Sequence, residues 1–174
     1  MERVNADIRR RSGDDLGQLR ELADEILQLD AYPPRRPRDL GEFVAAPNAL
    51  ASFVAARAGQ VVGHVCVSPS SSPEVLDLAT RVLGVEAAHL AVVARLLVSP
   101  AHRRQGIARA LLGEALAETR RLGRTPILDV ATHFHPAISL YEECGWRRAG
   151  RVTVGMGEME PLDEYLYLGP LTRD

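Results

Sequence analysis

The 174-residue chain is 46% hydrophobic and 25% charged, the balance of a folded globular domain, and at this length about 70% of the unfolded surface can be buried without disulfides or a structural metal. Its 21 basic residues are all arginine, which excludes a Schiff-base lysine, a pyridoxal enzyme and a lysine-bearing P-loop. They interleave with 23 acidic residues for a formal net charge of -2, which argues against a nucleic-acid partner.

Cys66 and Cys144 are too few and too far apart for a disulfide framework or a zinc cluster, which points to a reducing, cytoplasmic setting. Met1 to Arg11 is polar where a secretory signal would be apolar, and no apolar run reaches the ~18 residues of a membrane span. No membrane partner is therefore expected. No internal repeat and no linker break the chain, so one domain over 1–174 is expected.

In chain order, Val4 to Arg10 suits an edge strand. Ser12 and Asp14 are cap candidates for a helix to about Leu29 with Leu16, Leu19, Leu22, Ile26 and Leu29 on one face. The prolines of Tyr32 to Pro37 stop it, and a short helix follows near Asp39 to Ala45. Ala51 to Arg57 and Gln60 to Val67 read as a hairpin turning at Ala58-Gly59. Ser72-Pro73-Glu74 has the order of cap, first helical residue and early carboxylate, with Gly84 as the stop. Ala88 to Val98 is an apolar run interrupted by His89 and Arg95, as in a strand buried on both faces. Helix over Gln105 to Leu122, strand over Pro126 to Val130, helix over Pro136 to Cys144 and strands over Trp146 to Val154 and Glu164 to Leu168 complete an α/β (α+β) order.

The segment Val98-Ser99-Pro100-Ala101-His102-Arg103-Arg104-Gln105-Gly106-Ile107-Ala108-Arg109 takes the chain from a buried strand through a polar turn into a helix. The first turn of a helix has N–H groups without intrahelical partners and a partial positive charge, which together favour an anion such as a pyrophosphate. Gly106 and Ala108 keep side-chain bulk away from it.

Arg103-Arg104-Gln105-Gly106-Ile107-Ala108 resembles the Q/R-x-x-G-x-G/A signature of the GNAT family of N-acetyltransferases. Leu128-Asp129-Val130 followed by Leu140-Tyr141-Glu142-Glu143-Cys144-Gly145-Trp146 is similar to that family's second block. The resemblance covers about residues 3 to 170 and implies a mixed, mostly antiparallel sheet of six to seven strands flanked by helices and splayed between its two central parallel strands. It implies acetyl-CoA as the acetyl donor, without a metal. The backbone of Leu96, Leu97 and Val98 would pair with the pantetheine arm, and the turn of Arg103, Arg104, Gln105, Gly106, Ile107, Ala108 and Arg109 would hold the pyrophosphate. An N–H near Leu97 or Val98 would polarise the thioester carbonyl.

Tyr141 is the catalytic residue the resemblance implies, protonating the departing thiolate. A phenol of pKa about 10 does this for a thiol of about 8.5 only through a short hydrogen bond in a dry site. Packing is the other reading of Tyr141, since it shares a helix face with Ile138 and Cys144. Gly145 reads as a left-handed helix stop.

The chain departs from the family pattern at Val92, where a strand carboxylate is common, and at Phe134, where asparagine is common. His133 or His135 can relay a proton, or solvent can deprotonate the amine before binding. His64 and His89 are expected on strands as packed or edge residues. Arg95, if buried, needs a carboxylate from the protein or from a substrate. The acceptor would be recognised by the Tyr32 to Arg38 loop, the Glu74 to Leu83 helix and an acidic loop around Glu158, Glu160 and Asp163. The expected activity is direct acetyl transfer to a primary amine of a small molecule or peptide, with a homodimer compatible. A non-catalytic acyl-CoA binding or sensing domain is the alternative.

Overall fold

The computed structural model describes residues 5–170. Seven strands form one mostly antiparallel sheet in the order β1-β2-β3-β4-β5-β7-β6. They are β1 (Asp7–Arg10), β2 (Ala51–Arg57), β3 (Gln60–Ser68), β4 (Leu90–Val98), β5 (Thr125–Ala131), β6 (Arg147–Met156) and β7 (Met159–Leu168). The helices are α1 (Leu16–Asp30), α2 (Leu40–Ala45), α3 (Pro73–Leu83), α4 (Ile107–Arg121) and α5 (His135–Glu143). Two compact units, 1–67 with 93–118 and 68–92 with 119–174, divide this chain, so β4 contributes residues to each.

In the first unit, the Ala58-Gly59 turn joins β2 to β3 with positive φ at both residues (48° and 78°), the two-residue geometry whose twist matches the flanking strands. Leu19, Leu22, Ala23 and Ile26 of α1 bury against Val44, Val54, Val61 and Leu97. Each large side chain so buried contributes roughly 1.5 to 3 kcal/mol. Leu29, expected on that face, is 63% exposed. The helix ends one residue later at left-handed Ala31, so its last turn has run past the core. A Cβ at Gly63 would meet Leu111 Cδ1 at 2.9 Å, Leu97 O at 3.1 Å and Ile107 Cγ2 at 3.2 Å. Glycine on β3 is thus what allows α4 to lie this close.

In the second unit, Ser72 Oγ accepts from Val75 N at 3.3 Å, Pro73 opens α3 and Gly84 closes it at φ 66°. The cap signals therefore act as the sequence implies. A Cβ at Gly150 would meet Leu78 Cδ2 at 2.8 Å, which sets α3 over one face of β6. β4 pairs in parallel with β5 only from Leu90↔Thr125 to Val92↔Ile127 among the described residues. β5 pairs on its other side with β7, Asp129 opposite Leu166 and Ala131 opposite Glu164.

Two further expectations change. His89 lies on an exposed one-turn 3-10 helix before β4, not on a strand. The acidic segment is mostly strand, since Glu160 and Asp163 lie within β7 and only the turn at Gly157-Glu158 separates it from β6. Val4 lies outside the described residues.

Candidate functional site

The turn in the first unit begins where β4 ends. Ser99 N donates to Val62 O at 2.8 Å, and Pro100 to His102 form a single 3-10 turn. Arg104 and Gly106 then take positive φ (60° and 79°). Left-handed residues in a turn re-aim successive N–H groups toward one side, the geometry of an anion-binding nest. Ile107 is buried and fastens α4, whereas Arg103, Arg104, Gln105, Gly106 and Arg109 are exposed and Ala108 is half-buried. Ala110 N closes a helical bond on Gly106 O at 3.0 Å. The amides just ahead of it lie in the first turn, where a helix has no acceptors to offer them. Side chains of the turn are already engaged: Arg103 pairs with Asp30 and donates to Val98 O at 3.3 Å, and Gln105 accepts from Arg57 at 2.9 Å. Arg104 forms no ion pair or hydrogen bond among the described residues.

Leu97 is buried, while Leu96 and Val98 are half-buried. Immediately before them Arg95 has φ 55°, a left-handed residue inside a strand, and this costs of order 1 to 3 kcal/mol unless the surroundings hold it. His64 supplies part of that hold. Its Nδ1 lies 2.9 Å from Arg95 O, and a carbonyl only accepts, so Nδ1 carries the proton. Burial pushes the imidazole down to about 4, keeping it neutral, and leaves Nε2 without a partner. The Arg95 guanidinium is half-buried and lies 4.9 Å from the centre of the Phe43 ring. Among the described residues no carboxylate pairs with it, and the Phe43 ring gives it an aromatic face.

Cys66 is buried and its thiol is pushed up to about 11 by desolvation, the profile of an inert structural thiol. Val92, at the position of the missing carboxylate, is also buried.

Tyr141 belongs to the second unit. α5 starts at His135-Pro136 and ends before left-handed Gly145 (φ 84°), and it sets the Tyr141 ring 6.3 Å from Trp146 and 6.2 Å from Tyr167. Glu142, the next residue of α5, accepts from Tyr167 Oη at 2.7 Å, so α5 covers the face of β7 that carries Tyr167. Burial raises the Tyr141 phenol above its usual value, and the charge of Asp129 and then Cys144 raise it further.

Asp129 is the residue that sequence reasoning passed over. It lies inside β5 with Leu128 and Val130 buried on either side, and it is half-buried itself. Because Asp129 is opposite Leu166 and Gly150 is also opposite Leu166, its side chain lies on the face that α3 covers. Ser71 Oγ donates to Asp129 Oδ1 at 2.8 Å. Glu164 lies diagonal to Asp129 on β7, on the same face of the sheet. Desolvation raises Asp129, and it raises Glu164 to about 8 together with the charges of Asp129 and Glu74. Among the described residues no arginine pairs with either carboxyl. The available signal was a single acid within Ile127-Leu128-Asp129-Val130-Ala131. His133 and His135 are exposed at the start of α5, the former with its ring 4.5 Å from Phe134.

β5 therefore carries a carboxylate on one face, and α5 presents a phenol from the other.

The chain matches the Acetyltransferase (GNAT) family over residues 16–146. A curated relative, N-acetyltransferase family 8 member 2 of Rattus norvegicus, is 34% identical over 113 residues, 64% of this chain and 45% of that protein. The match thus spans under half of that relative's length. The structure of yncA from Salmonella typhimurium with its cofactor acetyl-CoA has a TM-score of 0.72 at 20% identity, covering 98% of this chain and 96% of that one. A GNAT family acetyltransferase from Brucella melitensis in complex with acetyl-CoA gives 0.60 at 25% identity, covering 83% and 84%. The likeness to yncA is one of fold, and the family match covers three quarters of the sequence, including the β4–α4 turn and the Tyr141 block: the chain belongs to the GNAT acetyltransferase family.

Proposed function

We propose that the protein transfers an acetyl group from acetyl-CoA to a primary amine of a small molecule or peptide, directly and without an acetylated cysteine. The observation that carries the reading is the turn between β4 and α4, where Arg104 and Gly106 take positive φ in an exposed bend just before Ala110 N closes a helical bond on Gly106 O. This fits a diphosphate, and Arg104 adds an uncommitted cation beside it. Acetyl-CoA was seen in two structures of similar fold. The high thiol value of Cys66 supports direct transfer, since a thiol is nucleophilic only as thiolate.

When bound, the donor supplies a thioester carbonyl whose C–S bond is replaced by the new C–N bond. Gln105 to Arg109 would hold its diphosphate through main-chain N–H groups, and the backbone of Leu96 to Val98 its extended arm. The twist that Arg95 introduces sets the direction of those three residues. Asp129 takes the proton from the acceptor nitrogen, and Tyr141 gives its phenolic proton to the departing sulfur. A phenol above its usual pKa remains a competent donor here. The desolvation that raises Tyr141 also raises the proton affinity of a thiolate formed beside it, so the difference between the two decides the transfer.

Coenzyme A release from acetyl-CoA, measured across a panel of primary amines and amino acids, tests the reading. Tyr141→Phe is expected to lower kcat about 10²-fold or more while leaving coenzyme A affinity unchanged. An unchanged kcat removes Tyr141 as the acid.

A further inference from the structure

We infer that Arg95 holds the carboxylate of the acceptor, so that the primary amine acetylated by this protein is that of a free amino acid. The inference deepens the proposed acetyl transfer and rests on it.

The first unit gives carboxylates to exposed arginines and none to two that are withdrawn from water. Arg9, Arg10 and Arg103 are exposed, and each is paired, with Asp15 at 2.8 Å, with Glu118 at 2.9 Å and with Asp30. Arg11 and Arg95 are half-buried, and among the described residues neither meets a carboxylate. Arg11 donates from Nη2 to Ala45 O at 3.0 Å and leaves Nε buried without a partner. The Arg95 side chain makes no hydrogen bond among the described residues. A guanidinium cannot shed its proton, so desolvating it without a counter-charge costs stability. A purely structural distribution would pair the inner arginines first.

The residues around Arg95 supply no anion. His64, whose Nδ1 lies 2.9 Å from Arg95 O, is kept neutral by burial, with the charges of Arg11 and Arg95 acting the same way. Cys66, two residues along the same face of β3, keeps its thiol proton. Asp39 caps α2 through Gly41 N at 2.6 Å, and Glu42 is exposed with no ion pair among the described residues. The guanidinium lies 4.9 Å from the centre of the Phe43 ring, which in turn meets Tyr32 edge-on at 6.4 Å. An aromatic face screens the charge but takes up no conventional hydrogen bond. The planar fork of N–H donors is left for a carboxylate, which it matches through two parallel bonds. The same residue has φ 55° inside a strand, and backbone held in that region is concentrated at ligand sites.

Position along β4 selects the anion. In the proposed reading the donor's diphosphate lies at the turn after Val98 and its extended arm along Leu96 to Val98, so the thioester end reaches the strand beside Arg95. The anion held there is therefore the acceptor's and not the donor's. Leu97 is two residues from Arg95, about 7 Å along an extended strand, and an arginine side chain covers a similar span. The amine and the carboxylate must then be close together, as in an α-amino acid, where one carbon carries both. A peptide N-terminus offers only a neutral amide at that place.

Initial rates of coenzyme A release test this with α-amino acids, their α-carboxamides and peptides amidated at the C-terminus. Wild type should favour the acids over both neutral classes by about 10²-fold or more in kcat/KM. Amine basicity alone works against this result, because a neighbouring carboxylate keeps the nitrogen protonated. In Arg95→Gln the preference should shrink to less than about tenfold, chiefly through a higher KM for the acids, and Arg95→Lys should restore part of it. Calorimetry with coenzyme A checks that each variant is folded and still binds the donor, and the wild-type comparison needs no variant. Amides or amidated peptides turned over as well as the acids overturn the inference while acetyl transfer stands. An undiminished preference in an Arg95→Gln protein that binds coenzyme A overturns it too, since the carboxylate is then held elsewhere. No turnover of any amine removes acetyl transfer, and the inference with it.

Discussion

Two aspartates in the two units make opposite use of the same side chain. Asp15 is buried at the start of α1 and accepts two hydrogen bonds from Arg9 at 2.8 Å and one from Ser12 N at 2.7 Å, which hold its carboxyl down at about 2. Asp129 is also withdrawn from water, yet its hydrogen-bond partner is the Ser71 hydroxyl, and desolvation pushes its carboxyl up. A desolvated carboxylate is tolerated when a cation and amides satisfy it, and where they are absent the site stores proton affinity at a cost in stability. The first arrangement holds a helix in place. The second is available for chemistry.

Substitution at the two positions sharpens that contrast. Asp129→Asn should show the larger effect, a loss in kcat of about 10² to 10⁴-fold, with thermal stability maintained and, above pH 8, improved. The sign follows from linkage. Glu164 and Asp129 have raised values in the folded state, so their favourable contribution is complete below the unfolded carboxyl range and is lost as pH climbs through about 8. Removing one member relieves that loss, and thermal melts at pH 6 and 9 would reveal it. If Asp129→Asn melted lower at both values, Asp129 would be structural.

Asp15→Asn should show the reverse: an unfolding free energy lower by about 1 to 3 kcal/mol at pH 7 and an unaltered pH–rate profile. Its contribution is present above about 3.8 and disappears as pH falls through about 2. Denaturant unfolding at pH 7 and pH 2 should therefore separate variant from wild type only at the higher pH.

What the sequence revealed and what it hid divide along the same line. The Ala58-Gly59 hairpin, the Ser72-to-Gly84 helix and the turn from Arg103 to Arg109 are encoded within a few consecutive residues, and their φ values and caps follow from local chemistry. The placement of Asp129 and Glu164 on one face depends on which residue of β7 lies opposite which residue of β5, and that register is fixed by long-range pairing rather than by either strand's own pattern. Arg95 misled for a related reason. Its place in an apolar run implied burial, but it has positive φ, is half-buried and lies against Phe43. Leu29 kept the helical period of its neighbours after the core beneath the helix had ended.

The measurement that bears most directly on the functional claim is a calorimetric titration of coenzyme A into the wild type and Gly106→Glu. Gly106 sits at φ 79° in the exposed turn, where a side chain is strained and a carboxylate would repel a diphosphate. Saturable binding by the wild type and none by the variant, with the fold intact by circular dichroism, is the expected result. Equal affinity in the two proteins would contradict it, because the diphosphate would then not be held by the bend that joins β4 to α4.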